Sequence, residues 1–379
     1  MTDHTTRDIF ISILSAELRG EKLSVPMTEE LLRYAKIHNV EAMVFQVTHA
    51  KELERANYYT VFAHMNMMKL MQEITKLFEE AGMRHFWVKG MEVAQYYPYP
   101  ALRSMGDLDV MVEDIARACE ILSQHGYDFG HHDQCEWPCY KNNFRVELQS
   151  RLAYSGSEKL MSFFDGCWDY EKEHHLDWSF HFVYLIEHLR KHLVHEGVGF
   201  RQFLDIAVLV QNEKVSGQLN WSWIRETLQK LDMLDLTERI LALNERWFGV
   251  KVPFEVPEIT DEFYDFATDR ILENGVFGRD DEEHLELANV HVESSSDYDG
   301  SRMTLGGLLR KAFPGYRQLI GWDEYRFLVG RKYLLPVCWI YRLWRNLFLK
   351  EKREQRRQDA QIDAALYDEK IRELKEWGL

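Results

Sequence analysis

Residues 88–114 read VKGMEVAQYYPYPALRSMGDLDVMVED. The stretch opens on Lys89-Gly90 and closes on an alternation in which Asp107, Asp109 and Met111 are interleaved with Leu108, Val110 and Val112. Strict alternation marks a strand with one apolar face. Residues two apart in a strand point to the same side. The two aspartates are therefore expected together on the face away from Leu108, Val110 and Val112. Like charges that close repel unless a cation lies between them. A paired carboxylate is an all-oxygen donor of the kind hard divalent magnesium prefers, and two such ions about 3.5–4 Å apart can clamp the attacking and leaving oxygens of a phosphoryl transfer.

A third carboxylate should come from a neighbouring strand. The segment FRVELQ, residues 144–149, alternates Phe144, Val146 and Leu148 with Arg145, Glu147 and Gln149, which puts Glu147 on a polar face. Upstream, RHFWVKG reads as a short buried strand and MEVAQYY as a short helix stopped by PYP. Gly90 between them lets a phosphate approach the backbone, a helix start favours an anion, and Lys89 and Arg103 add positive charge. Strand, turn, short helix and a strand with two aspartates together read as a site for a nucleoside triphosphate and two magnesium ions.

Working outward, the first eighty residues are helical. FISILSAELRG has helical spacing and ends on Gly20; TEELLRYAKIHNV starts with Thr28 as its cap; residues 56–82 form one long helix closed by Gly82. The methionines of that helix read as core packing. After the aspartate strand, DIARACEILSQHG is a helix capped by Asp114, and YDFG, EWPCYK and FRVELQ are further strands of one sheet. From Trp178 four amphipathic helices follow, then the turn-rich KVPFEVPEITDEF, an acidic surface loop over residues 274–301, and a charged helical tail. The expected fold is α+β: a small mixed-sheet core over residues 83–175, N-terminal helices over 1–82, a C-terminal helical domain over 176–349 and a charged helix over 350–379.

Composition narrows the function classes. With 62 acidic and 46 basic residues, the formal charge is −16. That argues against a nonspecific nucleic-acid coat, whose affinity comes from Lys and Arg on phosphates, while leaving room for a local basic site. Five cysteines without CxxC spacing suit a reducing cytoplasm. The N-terminus lacks the basic and apolar regions of a signal peptide. The most apolar run, residues 333–349, is broken by a proline and two arginines, too short and too charged to span a bilayer. Its mixture of aromatics with the following basic run reads as a helix packed on the domain, with association to a membrane surface or a partner as the other reading.

The quoted segment, extended to Phe129, resembles the uncharacterised nucleotidyltransferase-like family of the DNA polymerase β superfamily. The resemblance rests on Lys89-Gly90, the Tyr-Pro segment, Arg103, Asp107-x-Asp109 and the following helix ending in Gly-Tyr. VELQSRL resembles the family's third-carboxylate strand, and EHLRKHLVHEGVGFRQFLDIAVLV its helical segment with a histidine pair, an arginine and an aspartate. FPGYRQL and LLPVCWIYRLWR are similar to its C-terminal part. The third carboxylate, often Asp in the family, is Glu147 here, and Gln149 stands where a histidine is common. The resemblance implies transfer of a nucleoside monophosphate from an NTP to a hydroxyl-bearing acceptor (a sugar, a small molecule or a protein). Asp107, Asp109 and Glu147 would serve as metal ligands and catalytic carboxylates, Lys89, Gly90 and Arg103 would hold the triphosphate, and His188, His192, Arg201 and Asp205 would line the cleft. A catalytically inactive nucleotide-binding or protein-interaction module of the same fold is the alternative.

Other features read as structural. His188 and His192 are four apart on one helix face, with His181 near the same stripe. Glu187 precedes the first histidine, so the zinc-protease order His-Glu-x-x-His is not met. Arg201 and Asp205, one turn apart, can also pair on a helix surface. His131-His132-Asp133 reads as a turn, and neither a Gly-x-Ser-x-Gly elbow nor a P-loop occurs.

Overall fold

A computed structural model describes residues 4–130, 136–153, 157–195, 197–275, 331–348 and 371–379. Its centre is a seven-stranded mixed sheet of order β3-β4-β5-β2-β1-β7-β6. The strands are β1 (His85–Val88), β2 (Asp107–Val112), β3 (Asp128–Phe129), β4 (Glu136–Lys141), β5 (Phe144–Gln149), β6 (Glu171–Lys172) and β7 (His175–Leu176). β2 is central, antiparallel to β1 and parallel to β5. Its register sets Asp109 opposite Val88 on one side and Glu147 on the other.

Helices cover both faces. The N-terminal ones are α1 (His4–Leu18), α2 (Glu29–Ile37), α3 (Glu41–Thr48) and the long α4 (Glu54–Glu80). Within the sheet region lie α5 (Gly90–Ala94), α6 (Ile115–Gln124) and α7 (Glu158–Phe164). The later ones are α8 (Trp178–His195), α9 (Phe200–Gln211), α10 (Glu213–Ser216), α11 (Trp221–Lys230), α12 (Leu234–Phe248) and α13 (Asp261–Asn274). Local chemistry sets their starts: Thr28 Oγ1 accepts from the Leu31 N–H at 3.2 Å, and Asp114 Oδ1 from the Arg117 N–H at 3.0 Å.

The alternation read in β2 divides two apolar cores. Leu108, Val110, Val112, Val146 and Leu148 pack with Met67, Leu70, Ile74 and Phe78 of α4 and with Ala118 and Leu122 of α6. Phe86, Val88 and Met111 face the other way, into a larger core shared by α1–α3, α8, α9 and α12. Asp107 and Asp109, in phase with Met111, therefore stand at the boundary between the sheet and the later helices. The helices before the sheet and those after it share one core, with Phe10 meeting Phe200 edge-on at 6.0 Å between ring centres.

Several details differ from the expectations. β6 and β7 are two-residue strands, too short for an alternating pattern to mark them, and they extend the sheet beyond β1. The methionines of α4 are not all core: Met67 is buried, but Met65 and Met68 are exposed because they fall outside the stripe facing the sheet. Residues 371–376 are helical, and Trp377 is fully buried against Phe203 and Phe263; an indole at a charged terminus brings the chain back onto α9 and α13. The acidic stretch from residue 276, His131-His132-Asp133, FPGYRQL and residues 349–370 lie outside the described residues. No described helix is long and apolar enough to cross a membrane.

Candidate nucleotide and metal site

Lys89 forms the elbow between β1 and α5. Its backbone adopts φ 58° and ψ −125°, a conformation costing a non-glycine residue about 1–3 kcal/mol. The strain is held in place from α8: the Lys89 N–H donates to Nε2 of fully buried His181 at 3.0 Å. Burial, with His175 and Lys89 adding to it, lowers the His181 pKa to about 3, so its ring is neutral and accepts. The elbow aims the Lys89 ammonium at Asp109, with Nζ 2.7 Å from Oδ1. Burial alone would weaken that ammonium, but the Asp109 carboxylate reverses the effect and raises its pKa well above the ordinary value.

Gln149 donates to the same Asp109 oxygen at 2.7 Å, and Glu147 accepts from Arg145 two residues before it in the strand. Asp109 and Glu147 are register partners in neighbouring parallel strands, whose backbones lie about 4.8 Å apart. Both are buried. Burial followed by repulsion from Asp109, Asp107 and Glu136 raises the Glu147 pKa to about 8. Burial and Asp107 outweigh Lys89 at Asp109, whose pKa is also raised. These mutual shifts mark a place short of positive charge. Among the described residues no three His, Cys, Asp or Glu side chains are gathered as a ready metal ligand set; Asp109 is drawn towards Lys89 and Gln149, and Glu147 towards Arg145. The donor type does fit: all three carboxylates supply hard oxygens on one face.

From α8, Tyr184 and His188 approach the same place. Together with Lys89, Glu136, Gln149 and Lys191 they line a cavity of about 20 Å³, enough for one water. His188 Nε2 lies 3.2 Å from His192 Nε2. Burial, then Lys89 and His192, lowers the His188 pKa well below its usual value, so the His188 ring is neutral.

The other sequence-singled residues form a second group. Arg103 makes a two-pronged contact with Asp205, Nε to Oδ1 at 3.1 Å and NH2 to Oδ2 at 2.5 Å, and Tyr97 donates to the same carboxylate at 2.8 Å. Arg201 donates to the Ser104 carbonyl at 3.0 Å; burial and then Arg103 lower its pKa to about 10. The close approach at Gly90 is made by Arg103: a Cβ there would meet its NH1 at 2.7 Å. α5 has only five residues, so its dipole adds little. Asp107 joins the groups electrostatically, acting on both Arg103 and Glu147.

The structure thus brings together Lys89, Asp109, Glu147 and His188, with Asp107 beside them, and sets Arg103, Arg201 and Asp205 on the α9 side. Sequence reasoning passed over Gln149, Tyr184 and His181 as site members. The signals were modest but present: Gln149 is in phase with Glu147, and Tyr184 lies three residues after His181 and four before His188. No curated protein and no solved structure matches the chain. One family model does match, over residues 26–249. That span takes in the sheet, the Lys89 elbow, both aspartates, Glu147 and the helices carrying His188 and Asp205, and with more than half of the chain matched the protein belongs to the uncharacterised nucleotidyltransferase family.

Proposed function

We propose that the protein transfers a nucleoside monophosphate from an NTP to the hydroxyl of an acceptor, releasing pyrophosphate. The observation that carries this reading is the in-register pairing of Asp109 with Glu147, on the face shared with Asp107. Asp107, Asp109 and Glu147 would hold divalent magnesium, which when bound neutralises the triphosphate and polarises the reacting phosphorus.

The rest follows from the chain's own groups. The acceptor oxygen forms its bond to the α-phosphorus as the bond to pyrophosphate breaks. The hydroxyl proton passes to a carboxylate oxygen of Glu147. Without a cation, burial and the neighbouring carboxylates raise the Glu147 pKa to about 8; with magnesium held by one oxygen, the other would accept the proton. Lys89 supplies positive charge to the triphosphate, its ammonium held in place by the contact with Asp109. Gln149 orients Asp109. The Arg103–Asp205 pair anchors the loop that delivers the chain into β2. A membrane-surface or partner contact by the helix Leu335–Phe348 and its basic continuation, and a cytoplasmic setting, complete the reading.

A specific observation favours a second reading. The Lys89 ammonium sits on Asp109, as a resident cation would in an inactive nucleotide-binding module. Incubating the full chain with α-labelled NTPs, magnesium and a panel of sugar, small-molecule and protein acceptors separates the two. Label transfer by the wild type and none by Asp109→Asn supports the enzyme; calorimetric NTP binding without transfer to any acceptor supports the module.

A further inference from the structure

A second concavity, distinct from the carboxylate site, lies between α4, α5 and Pro100. It encloses about 550 Å³, room for a drug-sized molecule. Its walls are mostly apolar, with Met68 and Met71 from α4 and Met91 from α5, and His64 and Glu92 also line it. Met71 and Met91 pack on the α4 core, whereas Met68 is 42 % exposed. Methionine is flexible and polarisable, suited to wrap a varied apolar body.

Two polar groups here lack partners. Glu92 is only 7 % exposed, and among the described residues no charge or side-chain hydrogen bond offsets the burial of its carboxyl. Burial is the one influence on it, raising its pKa to about 7. His64 is 6 % exposed, and its Nδ1 has no hydrogen-bond partner. The remaining charged groups of the groove are engaged elsewhere: Lys76 pairs with Glu80 at 3.8 Å, and Glu79 accepts from His174 Nε2 at 2.9 Å. The Glu92 oxygens are not among the fully enclosed unpartnered atoms of the described residues, so they open onto the groove they line, where the surrounding burial still disfavours a lone charge. A ligand bringing an N–H⁺ group satisfies it through a charge-assisted bond and covers the methionines at the same time.

We propose that the groove between α4 and α5 binds an organic cation, an amine or amidinium carried on an aromatic or alkyl body, with Glu92 as its counter-ion. The carboxyl sets the demand for charge, and the methionine walls set the demand for an apolar body. The site stands on its own residues and holds whether or not the sheet catalyses transfer.

The test uses the full-length chain, tryptamine, and tryptophol, the neutral alcohol of similar shape. Titration calorimetry is paired with methionine-methyl NMR. Tryptamine should bind and shift the Met68, Met71 and Met91 methyls, with tryptophol about tenfold weaker or more, a difference of about 1.4 kcal/mol. Glu92→Gln should reduce the amine to the affinity of the alcohol. Met68→Lys, at the exposed wall, should weaken tryptamine by a similar factor and serves as the deciding variant if Glu92→Gln folds poorly. Equal binding of the two probes to the wild type overturns the proposal. So does no binding at millimolar concentration, a methyl shift confined to other methionines, or an amine preference that survives Met68→Lys.

Discussion

Two buried ion pairs, Lys89–Asp109 and Arg103–Asp205, are fed by the same stretch of chain and are built to opposite plans. At Arg103–Asp205 a planar guanidinium meets both carboxylate oxygens, and Tyr97 donates to one of them. At Lys89–Asp109 a point charge meets one oxygen, and Asp107 and Glu147 leave the neighbourhood with unbalanced negative charge. Lys89 also holds a strained backbone, whereas Arg103 is extended at φ −73°. A pair whose hydrogen bonds are complete supports the fold. A pair that leaves charge and strain uncompensated is poised for a ligand.

The comparison is broken most forcefully by swapping the consequences of mutation. Asp109→Asn should lower nucleotidyl transfer by roughly 10²–10⁴-fold, the range for losing a group that acts on the reacting atoms, with the smaller change in unfolding midpoint, because Asp107 and Glu147 remain beside the Lys89 ammonium and their repulsion with Asp109 is relieved. Asp205→Asn should do the reverse. Removing one partner of a buried pair leaves the other charge uncompensated and costs about 3–5 kcal/mol, read by urea denaturation. If Asp205→Asn leaves stability intact and abolishes transfer, the assignment of the two pairs is inverted.

A finer cut separates the charge of Lys89 from its backbone. Lys89→Ala and Lys89→Gly both remove the ammonium, but only glycine adopts φ near +58° without penalty. The glycine variant should be the more stable by about 1–2 kcal/mol, opposite to the usual order of these residues. Both should lose transfer. Equal stability would show that the elbow stores no strain.

How much of this was legible before the fold is instructive. The β2 and β5 alternations gave the strand faces and hence Asp107, Asp109 and Glu147, because a period of two leaves no freedom once one face is apolar. Helix ends at Thr28 and Asp114 were visible because capping is local chemistry. The partnering of charges was not. Arg103 and Asp205 are about a hundred positions apart, and nothing in either segment says that one will meet the other and not a phosphate. Gly90 was legible as a close approach, but the approaching group, Arg103, comes from a turn whose path no periodicity sets. The strands β6 and β7 were silent for a related reason: two residues hold no pattern.

The smallest effect concerns protons. The folded Glu147 pKa of about 8 lies above the value of about 4.3 expected in the unfolded chain. The native state therefore holds this proton more tightly, and its contribution to stability is complete below about pH 4.3 and is lost as pH rises to 8. Glu17 and Glu92, each raised to about 7 by burial, share that sign, so they also contribute to the decline, but theirs is centred lower. The loss between pH 7 and 8 belongs chiefly to Glu147. Thermal melts should show a downward slope there in the wild type, and a flatter one in Glu147→Gln. Added magnesium should raise the wild-type melting temperature more at pH 8 than at pH 6, since a cation competes with the proton for the same oxygens. Asp205→Asn, by contrast, should retain the wild-type slope from a lower starting temperature, because it leaves Glu147 and its acidic neighbours in place. A wild-type slope that Glu147→Gln leaves unchanged would move the missing positive charge away from β5 and erase the contrast between the two ion pairs.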